Sequence, residues 1–160
     1  CSFTWGRDEN FSINGDGRGT PPQNITIQNS IIGQGLQNHS CGGLMQTGIT
    51  DGVTIFRNLY IDNNSRNPKV KGLNQFVNNV VYNWGVGTDY DMGGDSDGPS
   101  ETAIEDNYFI VGLGKDYRNN VMTYINPSRP FSGGNAQFRT FWKGNYYFRG
   151  TRRCSGKRTL

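Results

Sequence analysis

Five short stretches of this chain repeat one order of apolar and polar positions: ITIQNSII, VTIFRNLY, NQFVNNVVY, TAIEDNYF and TFWKGNYY. One column holds Ile27, Ile55, Phe76, Ile104 and Trp142, all large and apolar. Three residues further on stand Ser30, Asn58, Asn79, Asn107 and Asn145, and two apolar residues follow in every copy. The opening CSFTW fits as the tail of an earlier copy, with Cys1 in the asparagine column. The offsets between copies are 29, 28, 21, 28 and 38 residues.

A helix would need apolar positions every 3.6 residues; these segments alternate briefly and break, which predicts short strands. Strands too small to bury their own faces, recurring at such intervals, must stack on their neighbours. A leucine-rich repeat would show regular leucines and a steadier length. Variable offsets suit a solenoid whose loops leave one side at different lengths. The pattern therefore predicts an all-β fold, a parallel β-helix of five to six rungs over residues 1–150, as part of a longer coil. The column from Ile27 to Trp142 should lie inside and the asparagines should stack. Asparagine amides carry donors and acceptors for such a stack, and asparagine tolerates the left-handed backbone that a tight bend needs. These asparagines are read as fold residues, not as a binding site. The basic, aperiodic residues 151–160 are read as a separate tail.

Composition narrows the picture. Charged residues make up 18% and hydrophobic residues 33%, both low, whereas aromatic residues at 12% point to packed structure rather than a disordered polyelectrolyte. A net charge of +3 is too small to imply nucleic acid. No apolar run reaches the ~18 residues of a membrane span. The chain opens directly on a strand-like segment with no leader pattern, so it reads as a fragment or processed product. Its uncovered first rung is expected to favour self-association. Three cysteines, Cys1, Cys41 and Cys154, are an odd count that does not indicate a disulfide framework; one pair would leave one thiol over. Sequons at Asn10, Asn24, Asn38 and Asn63 give weak support for secretion.

Candidate chemistry gathers in NNSRNPKVKG, residues 63–72, where Arg66, Lys69 and Lys71 surround Pro68 at what reads as an exposed turn. A solvated basic loop is the plain alternative. One histidine and scattered cysteines supply too few ligands for a zinc site or a histidine-based triad. The acidic stretch GTDYDMGGDSDGPSET lacks the spacing of an EF-hand and reads as a solvated loop.

Taken in order, SFTWGRDENFSI, NITIQNSIIGQGL, NHSCGG, NLYIDNNSRNPKVKG and FVNNVVYNWG resemble the pectate lyases of polysaccharide lyase family 1. The likeness runs from Cys1 to about Gly85 and continues weakly through EDNYF and GNYY. It implies a right-handed parallel β-helix, secreted, that cleaves polygalacturonate by calcium-assisted β-elimination. SRNPKVK is similar to the family's R-x-P-x-x-R signature, so the resemblance makes Arg66 the catalytic base. It places Lys69, Lys71 and His39 against the substrate, although the lysine often found near His39 has no counterpart. Two residues apart in a strand, Lys69 and Lys71 can face one anionic sugar chain together. Asp8 aligns with the first carboxylate of the family's calcium segment and Glu9 lies beside it, while Ser12 replaces the second. An arginine base is unusual. A guanidinium gives up its proton only in strongly alkaline solution, so the chemistry would favour alkaline conditions. A non-catalytic carbohydrate-binding or structural solenoid is the alternative. A hydrolase recruiting Asp8, Glu9 and Asp62 would leave the basic signature unexplained.

Overall fold

A computed structural model describes residues 1–15, 22–36, 39–85, 91–92, 99–112, 126–130 and 138–148. The 151–160 tail and most of the acidic stretch lie outside the described residues. Among the described residues fifteen strands follow one another: β1 (Ser2–Thr4), β2 (Ile13–Asn14), β3 (Ile25–Gln28), β4 (Ile31–Gly33) and β5 (Leu44–Gln46). Next come β6 (Val53–Phe56), β7 (Leu59–Ile61), β8 (Lys69–Val77), β9 (Val80–Tyr82) and β10 (Asp91–Met92). The last are β11 (Ser100–Glu105), β12 (Tyr108–Ile110), β13 (Asn126–Pro130), β14 (Phe138–Lys143) and β15 (Tyr146–Phe148). Among the described residues there is no helix, and none long and apolar enough to cross a membrane.

Every pairing is parallel. One sheet of six strands runs β1-β4-β7-β9-β12-β15, which counts six rungs. The other strands form two wings, β2-β5-β8-β10-β13 and β3-β6-β8-β11-β14, joined through β8. The result is the expected parallel β-helix with three faces. Strand β8 explains the one short offset. Its Lys69–Lys71 end pairs with β5 and its Asn74–Val77 end with β6, so one strand serves two faces without a loop. Gly72 makes that corner at φ +86°, where a side chain would be strained and would collide with the Thr47 carbonyl.

Three inward columns fill the coil. Ile27, Ile55, Phe76 and Ile104 form one, Ile32, Tyr60, Val81 and Phe109 a second, and Ile13, Met45 and Val70 a third, each residue at most 8% exposed. Burying each such side chain contributes about 1.5–3 kcal/mol. Trp142 departs from expectation. It keeps register with Ile104 and stacks on Phe109 at 6.2 Å, yet it is 42% exposed. It lies in the last described rung, where no further described strand covers it.

The asparagine stack is present and has a direction. Asn58, Asn79, Asn107 and Asn145 each accept, on Oδ1, the backbone N–H of the corner residue one rung earlier, at 2.8–3.0 Å. Each Nδ2 donates back to the carbonyl of Ile27, Ile55, Phe76 or Ile104 in that same earlier rung, at 2.7–2.9 Å. Ser30 has no amide to continue the series, and its hydroxyl turns to the Gln28 carbonyl. The left-handed bend falls one residue before the expected position, on Asn29, Arg57, Asn78, Asp106 and Gly144. The physical reason is division of labour: that residue turns the chain outward, which leaves the next one facing the interior with its amide free to bridge rungs.

Candidate functional site

The turns leading from the six-stranded sheet into β2, β5 and β8 stack on one another. Glu9, Cys41 and Ser65 stand in one row, joined by parallel bridges. Backbone bonds fix the register: Cys41 N–H donates to the Asp8 carbonyl at 2.7 Å, Gly42 N–H to Ser65 at 2.9 Å and Gly43 N–H to Arg66 at 2.8 Å. A side chain at Gly42 would press on the Arg66 carbonyl at 2.5 Å, so the tight approach of these two turns needs a glycine there.

This stacking gathers residues far apart in sequence. The Arg66 guanidinium crosses the middle turn and pairs with the Glu9 carboxylate, both side chains about 15% exposed. His39 Nδ1 lies 2.6 Å from Asp8 Oδ1, and both side chains are more than 60% exposed. A carboxylate can only accept, so the ring nitrogen carries the hydrogen. Arg66 itself sits at φ +54°, a left-handed corner.

A buried polar network holds that corner from below. Asn63 is 2% exposed and donates to the Ile32 carbonyl at 3.0 Å and to Asn67 Oδ1 at 2.8 Å, and it accepts from Asn10 at 2.7 Å. Three successive rungs thus fix the turn that carries Arg66. Sequence reasoning missed this network and the central place of Cys41; both appear only once the rungs are in register.

Burial pushes the Cys41 thiol above its ordinary range, against the opposing influence of the Ser65 hydroxyl and Arg66. A thiol-alkylating reagent near neutral pH is therefore expected to modify exposed Cys1 and leave Cys41 until the chain unfolds. Equal labelling of both would mean that the turn opens readily. Because the folded-state value is the higher one, stability from this group is complete below the ordinary thiol range and is lost as pH rises through it and beyond.

Lys69 and Lys71 do not lie on an exposed turn. They alternate with inward-facing Val70 and so point to the outer face of β8, yet they are 0% and 4% exposed. Lys69 pairs in register with Leu44 of β5 on one side and Asp91 of β10 on the other, and the outer face is covered at this end of β8, whereas Leu73 and Gln75 further along the strand are exposed. Asp62 accepts a hydrogen bond from Asn83 at 2.6 Å, at the corner after β7.

Among the described residues no group of three or more His, Cys, Asp or Glu converges on one point. Asp8 and Glu9 thus offer two adjacent hard-oxygen donors, one exposed and one paired with Arg66. That fits one side of an open calcium site; the six to eight oxygens such an ion takes would need substrate or water as well.

The site is thus an arginine, two carboxylates and a histidine on stacked turns of a three-faced parallel β-helix. The chain is 54% identical to the probable pectate lyase C of Aspergillus oryzae and 55% identical to that of Neosartorya fischeri, each over 146 residues. It is 51% identical over the same length to the probable pectate lyase C of Emericella nidulans. These matches cover 91% of this chain and about 30% of each relative. Over that stretch, less than a third of the length of those relatives, the chain is similar to probable pectate lyases. No family model matches it, and no solved structure does.

Proposed function

We propose that this chain carries the cleavage face of a secreted, calcium-dependent pectate lyase that splits polygalacturonate by β-elimination. The observation that carries the reading is the convergence of Arg66 with Glu9, Asp8 and His39, in a chain that matches probable pectate lyases. Arg66 takes the C5 proton of a uronate, the C4–O bond breaks with its electron pair on the leaving oxygen, that oxygen takes a proton from water, and a C4=C5 double bond remains at the new non-reducing end.

The Glu9 carboxylate stabilises the charged guanidinium, so Arg66 becomes a base only when that pair opens and the medium is alkaline. Asp8 and Glu9 would hold the calcium. Bound there, a hard cation on the neighbouring uronate carboxylate stabilises the enolate-like charge that develops as the proton leaves. Release of Arg66 by Glu9 would leave the guanidinium free to face the sugar. His39 is exposed beside Asp8, and in this reading it contacts the substrate. Lys69 and Lys71 act from their enclosed positions through their field; direct contact with the polymer requires the outer face of β8 to open.

The test uses the chain within its full-length protein. Polygalacturonate and calcium in alkaline buffer are expected to give the ultraviolet absorbance of an unsaturated uronate, and a chelator to abolish it. Asp8→Ala is expected to raise the calcium needed for half-maximal activity at least about tenfold, the scale on which losing a site partner weakens metal binding. Binding of the polymer with no product in any calcium-containing alkaline buffer would make the chain a carbohydrate-binding solenoid instead.

A further inference from the structure

Three of the four Asn-x-Ser/Thr triplets start at described residues: Asn10-Phe11-Ser12, Asn24-Ile25-Thr26 and Asn63-Asn64-Ser65. The fold separates them sharply. Asn63 is 2% exposed, and both hydrogens of its amide are engaged, one on the Ile32 carbonyl and one on Asn67. A sugar on that nitrogen would remove one of these bonds and find no room. The Asn10 side chain is tied into the same turn at both ends, its nitrogen donating to Asn63 at 2.7 Å and its oxygen accepting the Gly6 N–H at 2.7 Å. A glycan at either position is incompatible with the turn that carries Arg66.

Asn24 is the opposite case. It occupies the bend that enters β3, at φ +53°, with its side chain exposed. The next residue is anchored by its backbone, Ile25 N–H donating to Gly52 at 3.1 Å, so the bend is fixed while the side chain is not needed to fix it. Thr26 is exposed too, on the outer face of β3 in register with Thr54. The bend opens onto a groove of about 330 Å³ lined by Asn24, Thr26, Thr54, Leu73 and Gln75, with room for a first sugar. It joins the two wings of the coil and is not one of the stacked turns that hold Arg66, Glu9, Asp8 and His39.

We infer that Asn24 is an N-glycosylation site and that folding excludes Asn10 and Asn63 from that role. The inference rests on the reading of the protein as secreted. The donor is a lipid-linked diphosphate oligosaccharide of a eukaryotic secretory pathway. Asn24 Nδ2 forms a bond to C1 of the reducing-end sugar, the C1–O bond to phosphate breaks, the lipid diphosphate leaves, and the amide loses one proton. Nothing is oxidised or reduced.

The full-length protein is exported from a fungal host behind that host's own leader, so that native export and the modification site are tested separately. The folded, soluble product is treated with peptide N-glycosidase in heavy-oxygen water and mapped by peptide. Residue 24 is expected as heavy-oxygen-labelled aspartate, and residues 10 and 63 as unlabelled asparagine. Asn24→Gln and Thr26→Ala should each remove that glycan and leave the unfolding temperature and turnover unchanged. Unmodified Asn24 in the exported protein, or a labelled residue 63 in the folded fraction, overturns the assignment.

Discussion

Arg66→Lys is expected to lower turnover of polygalacturonate by about 10²–10⁴-fold, the usual scale for removing a general base, with affinity for oligogalacturonate nearly unchanged. The substitution is chosen from the geometry. Lysine keeps the positive charge that faces Glu9, so the carboxylate is not stranded and the stacked turns hold. It replaces the planar fork with a point charge on a flexible stem, which places the accepting nitrogen elsewhere. Loss of kcat without loss of binding marks an interaction made in the transition state alone. Arg66→Ala is the less informative variant, because it leaves Glu9, about 15% exposed, without its partner and destabilises the turn as well. Wild-type turnover in Arg66→Lys would remove Arg66 from the chemistry.

The second large effect is structural. Asn79 is 0% exposed, and its amide ties three rungs together. Its Oδ1 accepts the Asn58 backbone N–H at 2.9 Å, and its Nδ2 donates to the Ile55 carbonyl at 2.9 Å and to Asn107 at 3.1 Å. Asn79→Ala strands a buried donor and a buried acceptor and is expected to lower unfolding stability by about 3 kcal/mol or more. Asn79→Asp, nearly the same shape but unable to donate, should lose a similar amount because its carboxylate then faces two acceptors. Asn145→Ala, in the partly buried final described rung, should lose clearly less. Denaturant unfolding with slopes compared between variants measures all three. A loss in Asn79→Ala no larger than in Asn145→Ala would break the account of the stack.

The coil was legible in the sequence because its main signals are side-chain identities repeated in register. The column of Ile27, Ile55, Phe76 and Ile104 and the asparagines behind it needed no knowledge of loops. The site was legible only in part. Resemblance drew Asp8, Glu9, His39 and Arg66 from separate segments, and stacking of the turns brings them together. The partnership of Arg66 with Glu9 was not readable, since 57 residues separate them and the pairing depends on a three-turn stack. Nor was the enclosure of Lys69 and Lys71. Alternation tells which face of a strand a side chain takes, but not whether that face is covered. The exposure of Trp142 was hidden for a related reason, because a column position guarantees burial only between two neighbours.

The one-way stack also has a temporal side. The corner N–H of each rung finds its acceptor in the asparagine of the following rung, 21 to 38 residues further along the chain. As the chain leaves the ribosome from its N-terminus at about 5–20 residues per second, no corner can close until its successor has been made. Assembly must then trail synthesis by one full turn of the coil, with a single open corner travelling at the growing end.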